Sequence, residues 1–515
     1  MNNNTPAILR SLIIYAVCVP LAVWIGFMIA NPFDRAAFSY AGILLLILCA
    51  PILLRWHHFL LIATWNLGLT IFFLPGRPPI WLLMTALSLG ISMLHRTVNS
   101  KARFLSAPSI ALPLVVLMAV VLTTARLTGG IGLHSLGNDT AGGKSYVLLV
   151  MGILGYFALT AQPIPPNRVK FYVSIFFLAG CAAFIGDLAP FLPSSFYFLY
   201  AFFPVSGYDL NNTPGAVDFH ARYAGLGVMG MSGFLFMLVR YGVRGIFISG
   251  RLWRPVLFCL FAVLMLSGGF RSNLILCGSV FLIQCCLERL HQTKIFPFFI
   301  LAGLIASVLI VPFANKLPFA IQRSLAILPL KLDRAARDNA EGSEEWRLQI
   351  WKDALPTIPQ YLLLGKGYAI SEGELAVASN EAFHYTSDIE SVDITGNYHS
   401  GPLSVVIYFG IWGVIAVLWF WIASLRALYL NYRYGDPGFR VINIFLLAYF
   451  ITKVFVFLII FGGLYGDMSY FAAIIGLSIS INGGIRHPVK APVQAVNKAA
   501  AVPPARPRFQ PFYQS

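Results

Sequence analysis

Residues 401–425 read GPLSVVIYFGIWGVIAVLWFWIASL, a run without one charged side chain that ends at Arg426. As a helix rising about 1.5 Å per residue it is long enough to cross a hydrocarbon layer, which takes about 20 residues. It is apolar on every face, whereas a helix of a soluble protein buries one stripe. Runs of the same kind recur from Leu12 to Ser480. Apolar residues make up 58% of the 515 and charged residues only 11%, against about one-quarter charged in a soluble chain. Nowhere is there enough polar surface to cover a soluble core, so the sequence predicts an all-α polytopic integral membrane protein in a phospholipid bilayer.

Fourteen spans are predicted. The first seven lie near 11–30, 39–54, 59–75, 79–94, 107–124, 145–161 and 169–188. The others lie near 223–239, 253–268, 272–287, 296–313, 401–425, 441–461 and 468–481. Between the seventh and eighth, the aromatic stretch 190–205 carries Pro190, Pro193 and Pro204, which suits a partly inserted, re-entrant element. The first run lacks a small-residue cleavage signature and is expected to stay as a membrane helix.

Numbering the connections alternately sorts the charge. One side holds twenty-one basic residues, among them Arg10, Arg55, Arg96, Arg168, Arg240, Arg289, Arg426 and the tail, against the acids Glu288 and Asp436. Basic loops stay in the cytoplasm, so both termini are placed there. The net charge of +16 then serves topology, and no zinc-finger spacing, helix-turn-helix or basic helix interleaved with aromatics points to nucleic acid. The seven cysteines all fall in apolar runs and read as small buried hydrophobes. The chain divides into helices 1–11 over 1–313, a large loop over 314–400, helices 12–14 over 401–481, and a basic, Pro- and Ala-rich tail over 482–515 that is expected to be disordered.

The large loop falls outside the cytoplasm and holds twelve of the chain's 20 acids. A loop this long without a role is uncommon. Within it, Ser343–Leu355 has helical spacing in Trp346, Ile350, Trp351 and Leu355, as for a helix lying on the membrane surface with its tryptophans at the interface. His399 sits where the loop meets the next span, and a histidine there can take a proton from a hydroxyl near neutral pH. The alternative is an interfacial histidine that merely caps the helix. Arg347 shares the loop helix with the tryptophans and suits two-point contact with a phosphate; pairing with Glu344 or Glu345 is the competing reading. Arg271, in Gly268-Gly269-Phe270-Arg271, and Arg222, in His220-Ala221-Arg222, both lie at outer ends of spans. The glycines beside Arg271 would let the backbone approach a ligand closely. A single such arginine ordinarily snorkels, but three facing one compartment suit a cationic site for a diphosphate. Lys453, inside a span, asks for a partner or a water-filled cavity. Asp187 reads as a solvated span end, and His384 as a substitute base for His399. Gly365-Lys366-Gly367 lacks the length of a phosphate-binding loop.

At these residues the sequence resembles the O-antigen ligase and O-antigen polymerase superfamily. Its motif of His, then Asn, Ser or Gln, nine residues, Gly, and Gly three further on is similar to His399, Ser400, Gly410 and Gly413. The family's loop arginine ahead of a Trp and an LxGxG turn resembles Arg347, Trp351 and Leu363-Leu364-Gly365-Lys366-Gly367, and its two earlier arginines resemble Arg271 and Arg222. Where the family has Gly-Ser-Arg-Gly, this chain has Gly-Phe-Arg-Ser, and fourteen spans exceed the ligases' usual twelve.

The resemblance implies a GT-C-like fold and a metal-independent glycosyltransferase of the bacterial inner membrane, without cofactor, with its site on the periplasmic side. The donor would be an undecaprenyl-diphosphate-linked glycan. The acceptor would be lipid A core or another glycan, with a chain-length regulator as a conceivable partner. His399 would orient or deprotonate the acceptor hydroxyl, while Arg347, Arg271 and Arg222 bind the diphosphate. The rival from another class is a lipid-linked oligosaccharide flippase. Transporters often carry two similar halves and broken helices at the midplane, and neither shows clearly here.

Overall fold

A computed structural model of the chain describes residues 35–74, 76–99, 104–129, 143–188, 191–203, 223–293, 311–370 and 398–488, with scattered positions between 19 and 26 and between 296 and 308. The principal helices are α1 (Arg35–Leu48), α2 (Ala50–Thr64), α3 (Ile80–Val98), α4 (Pro108–Thr128), α5 (Gly143–Leu159), α6 (Val169–Leu178), α7 (Ala224–Phe247), α8 (Trp253–Leu266) and α9 (Arg271–Leu287). Then come α10 (Phe319–Leu325), α11 (Arg334–Ala354), α12 (Gly401–Tyr434), α13 (Arg440–Ile459) and α14 (Leu464–Asn482).

Among the described residues, 7 helices are long and apolar enough to cross a membrane, or 8 if α1 and α2, which meet at 91°, form one span. Three shorter apolar helices, α5, α8 and α9, join them. The molecule is thus an all-α multi-pass membrane protein, but the expected fourteen spans exceed what these residues carry. The expected span at 11–30 lies mostly, and that at 296–313 partly, outside the described residues.

The clearest correction falls at Arg55-Trp56-His57-His58, which the sequence reading takes as the loop between the second and third spans. Helix α2 runs straight through it. Both imidazoles are satisfied inside the bundle: His57 meets Ser88 Oγ at 2.9 Å and the Gln162 amide at 3.1 Å, and His58 Nε2 donates to the Leu159 carbonyl at 2.9 Å. Paired in this way, the polar residues carry no unsatisfied group into the apolar interior. Residues 191–203 form short turns, a 3-10 turn at Ser194–Phe196 and a single helical turn at Leu199–Phe202, with Phe191 and Phe198 exposed.

Helix α14 is the most enclosed, with 78% of its apolar window buried, and it packs along α5. Asparagines tie its C-terminal end to α12 and α13: Asn431 donates to Ser478 Oγ at 3.1 Å, and Asn443 and Asn482 exchange hydrogen bonds at 3.1 and 2.9 Å. Where lipid offers no hydrophobic drive between helices, such bonds and small residues hold a bundle. Helices α7 and α8 meet through small residues. A Cβ on Gly230 would lie 2.2 Å from the Met265 amide nitrogen, and one on Gly227 would lie 2.7 Å from Gly268 Cα. Gly268 therefore serves helix packing, within the turn that delivers Arg271.

The loop helix starts nine residues before the expected Ser343, because Asp333 caps it by accepting from the Ala335 amide at 3.2 Å. Its tryptophans are half-buried against the 398–399 segment. Trp351 Nε1 donates to the Tyr398 carbonyl at 2.9 Å, and Trp346 packs on the His399 ring. They hold the loop helix to the start of α12.

Candidate active site

The turn Leu362–Gly367 docks on helix α12, which follows directly on the segment that carries His399. In α12, Gly410 takes a left-handed φ of 58°, which breaks the helix. Ile407 and Tyr408 then have carbonyls free to accept from the Lys366 and Gly367 amides, at 2.7 and 3.1 Å, while the Ile411 amide donates back to Leu362 at 2.7 Å. Gly365, at φ 77°, sits so close that a Cβ there would lie 2.1 Å from the Tyr408 carbonyl oxygen. The two glycine motifs, 43 residues apart between Gly367 and Gly410, are hydrogen-bonded halves of one joint.

That joint sets the segment 398–400 above it. Tyr398 is 2% exposed and tied to Trp351. Gly401 opens α12 so tightly against α13 that a Cβ would meet the Phe457 carbonyl at 2.2 Å. Between these anchors His399 is held at φ 49°, a left-handed conformation that costs a side-chain-bearing residue about 1–2 kcal/mol. Such strain persists only where its surroundings over-determine it, and it clusters at functional sites. The imidazole lies between Trp346 and Phe461, with ring centroids 5.1 and 5.2 Å away.

A cavity of about 820 Å³ opens in front of it, lined by His399, Arg347, Arg271, Arg323, Lys453 and Asp467, with Val228, Ile275 and Val456 among its apolar walls. Arg347 reaches in from α11, its guanidinium 5.8 Å from the Phe461 ring centre. Two buried polar atoms on this lining, Arg347 Nε and His399 Nδ1, have no hydrogen-bond partner among the described residues. Burial, and then the neighbouring Arg271, pull the Arg347 pKa below its ordinary value, with Glu344 opposing. Burial first and Arg347 second hold His399 down at about 4, so at neutral pH the ring is uncharged and able to accept a proton.

Arg271 is placed differently. It starts α9, and its guanidinium pairs with Glu344 and donates to the Ala340 carbonyl at 3.0 Å, clamping α9 to the loop helix. Of the two acids considered as partners for Arg347, Glu344 is thus taken by Arg271. Lys453 has the partner its burial demands, Asp467 Oδ1 at 2.7 Å, and both line the cavity.

Asp187 stands apart. It is 2% exposed, not solvated, and accepts from the Leu226 amide at 2.7 Å at the start of α7. Arg222 and His384 lie outside the described residues, as do the tail from 489 onward and Cys18. The described cysteines are all free thiols. Among the described residues no group of three His, Cys, Asp or Glu side chains is placed to hold a metal ion.

Sequence reasoning missed Arg323. It lies on the short helix α10, 8% exposed, and donates to the Gly269 carbonyl at 3.0 Å, under the turn that carries Arg271. Its signal was an arginine in the amphipathic stretch Phe319–Leu325 beside a span, hidden among the charges of the loop. Phe461, in the short turn between two spans, and Asp467, in the first turn of α14, were missed because neither position carries a pattern of its own.

No curated protein matches the chain. A family model described as O-antigen ligase matches residues 255–420, a stretch that contains Arg271, Arg323, Arg347, His399 and Gly410 but covers less than half of the 515 residues. This multi-pass membrane protein therefore carries an O-antigen ligase family domain, and that domain supplies most of the cavity's polar wall.

Proposed function

We propose that the chain is a glycosyltransferase that moves a glycan from an undecaprenyl-diphosphate carrier onto an acceptor hydroxyl. The observation that carries the reading is the pair of unpartnered buried atoms, Arg347 Nε and His399 Nδ1, on one cavity within the O-antigen ligase match. His399 accepts the acceptor's proton as the hydroxyl oxygen bonds to the anomeric carbon. The bond from that carbon to the diphosphate oxygen breaks, and the electron pair leaves with the diphosphate. Arg347, with Arg271 and Arg222 as further cations, meets the charge that develops on the leaving group, so the step needs no metal. The apolar walls receive the first part of the carrier lipid. Arg271 contributes field and keeps Glu344 from reaching Arg347.

The acceptor is lipid A core in a ligase or a second carrier-linked glycan in a polymerase, and the latter brings in a chain-length regulator. A multi-pass inner-membrane protein of GT-C-like fold, with cytoplasmic termini and a periplasmic cavity, completes the reading. Its support is the sorting of basic loops.

The test is a gel profile of glycan products from the purified protein given carrier-linked oligosaccharide, with and without lipid A core. A ladder without core identifies a polymerase, and a single core-dependent shift a ligase. No product with either acceptor sinks the reading and favours a flippase.

Two results follow from the geometry. Arg347→Gln is expected to lower kcat by about 100-fold, the usual cost of one oxyanion donor. Arg347→Lys should recover only part, because an ammonium keeps the charge and loses the planar fork. Single-turnover rates at saturating donor check this; unchanged rates would remove Arg347 from the chemistry.

The second concerns pH. With the His399 value at about 4, the neutral base persists as pH falls through 6.5 and is lost only near that lower value. The acidic limb of kcat/KM, which reports the free enzyme, should therefore lie well below 6.5. Bound diphosphate offsets the Arg347 field and raises the histidine's affinity for a proton. The kcat limb is expected at higher pH than the kcat/KM limb, and coincident limbs near 6.5 would contradict the assignment.

A further inference from the structure

The turn between α13 and α14, Ile460–Gly463, lies outside the O-antigen ligase match, yet it touches both polar groups of the site. Phe461 is the point of contact. One ring meets the His399 imidazole at 5.2 Å and the Arg347 guanidinium at 5.8 Å, and Trp346 closes the opposite side of the imidazole.

The turn is fixed from below. Asp467 uses one oxygen for Lys453 at 2.7 Å and the other to accept from the Gly463 amide at 2.9 Å. The next amide, Leu464, donates to Ser404 Oγ at 3.1 Å, and that hydroxyl donates to the Gly401 carbonyl at 2.7 Å. A Cβ on Gly462 would lie 3.1 Å from Gly401 Cα. A chain of contacts thus runs from the ion pair through the turn to Gly401, two residues after His399. Burying such a pair in an apolar bundle gives little net stability, and well-packed apolar replacements are often as stable or more so. Its retention here calls for another account.

We propose that Phe461 is a positioning residue, seated by the Lys453–Asp467 pair, that holds the His399 ring and the Arg347 guanidinium in register for transfer. The consequence for catalysis rests on the transfer reading above; the placement itself does not. The charged groups that share the cavity with His399 are Arg347 and Glu344 of α11, Arg271 of α9, Arg323 of α10, Lys453 of α13 and Asp467 of α14. Tyr449 and Tyr470 also line it. Removing Phe461 changes none of these charges. Replacing Lys453 and Asp467 together also leaves the net charge unchanged. A change in how His399 takes up a proton in either variant therefore reports lost shielding of the ring.

The experiment follows the reactivity of His399 towards diethyl pyrocarbonate, which attacks only the unprotonated imidazole, by mass spectrometry of the full-length protein in detergent across pH. In the parent, half-reactivity is expected near pH 4. In Phe461→Ala, and in Lys453→Met/Asp467→Leu, it should rise by about one unit or more towards the ordinary 6.5. Phe461→Trp, which keeps an aromatic wall, should resemble the parent, and Phe461→Leu serves if the alanine variant does not fold. Glycan-transfer kcat is expected to fall about 10-fold or more in the two shifted proteins, with the donor KM changing less.

An unmoved midpoint in Phe461→Ala or Phe461→Leu overturns the proposal. A midpoint that moves there but not in the double variant removes the ion pair from it. A parent that transfers no glycan refutes the transfer reading, and the modification profile still decides the placement.

Discussion

His399→Ala is expected to lower glycan transfer by about 100- to 10,000-fold, the range that a positioned general base supplies. The size follows from how completely the fold commits to this one ring. Tyr398 is locked by Trp351, Gly401 by Phe457, and between them His399 takes a φ of 49° that only glycine adopts freely. A cap for α12 needs none of this: the cap position is Ser400, and neither its side chain nor that of His399 makes a capping bond. His399→Asn separates the two roles. Asparagine tolerates the left-handed backbone and can orient a hydroxyl, but it takes no proton. If proton removal matters, Asn is as inactive as Ala; if orientation alone matters, Asn recovers much of the rate. A His399→Ala protein as active as the parent would remove the mechanism altogether. Purified variants should be compared at equal folded concentration, checked by size-exclusion profile.

Much of this was legible in the sequence, and the rest failed for identifiable reasons. The span at 401–425 and helices α4, α5, α7, α8, α9, α13 and α14 fall within a few residues of their expected limits at the starts, because an uninterrupted apolar run has one stable form in lipid. The run at 50–64 was divided because composition shows polar residues but not their partners. His57 is acceptable in a helix only through Ser88 and Gln162, which lie 31 and 105 positions away. His399 and Arg347 carried local signals, a loop-to-span junction and an amphipathic helix, and the structure sets both on one cavity. Glu344 reads as a possible partner for Arg347 because it stands three residues before it in sequence, while its carboxylate turns toward Arg271 at the start of α9. Lys453 announced a need for a partner, yet nothing local pointed to Asp467, which begins the following span. Pairings across helices are set by packing, and one sequence carries no direct record of them.

Gly365→Ala is the substitution expected to damage the fold most. A left-handed φ of 77° costs an alanine about 1–2 kcal/mol. The added Cβ would also stand 2.1 Å from the Tyr408 carbonyl oxygen, a backbone atom that has no rotamer by which to yield. The turn must then withdraw from α12. With it go the bonds from the Lys366 and Gly367 amides to Ile407 and Tyr408 and the return bond from Ile411 to Leu362. The break at Gly410 would then leave carbonyls exposed without a partner beside an apolar bundle, at about 1–3 kcal/mol for each unsatisfied group. A loss of about 3 kcal/mol or more is expected, read as a lower thermal unfolding midpoint in detergent. Gly278→Ala is the control: Gly278 lies within α9 with nothing within 4 Å of its added Cβ, and helix propensity favours alanine by about 1 kcal/mol. Its midpoint should hold or rise. Because the same joint carries the start of α12, Gly365→Ala should also abolish transfer in whatever fraction remains folded. A Gly365→Ala protein as stable and active as Gly278→Ala would mean that the turn does not dock at Gly410, and the placement of His399 above it would lose its support.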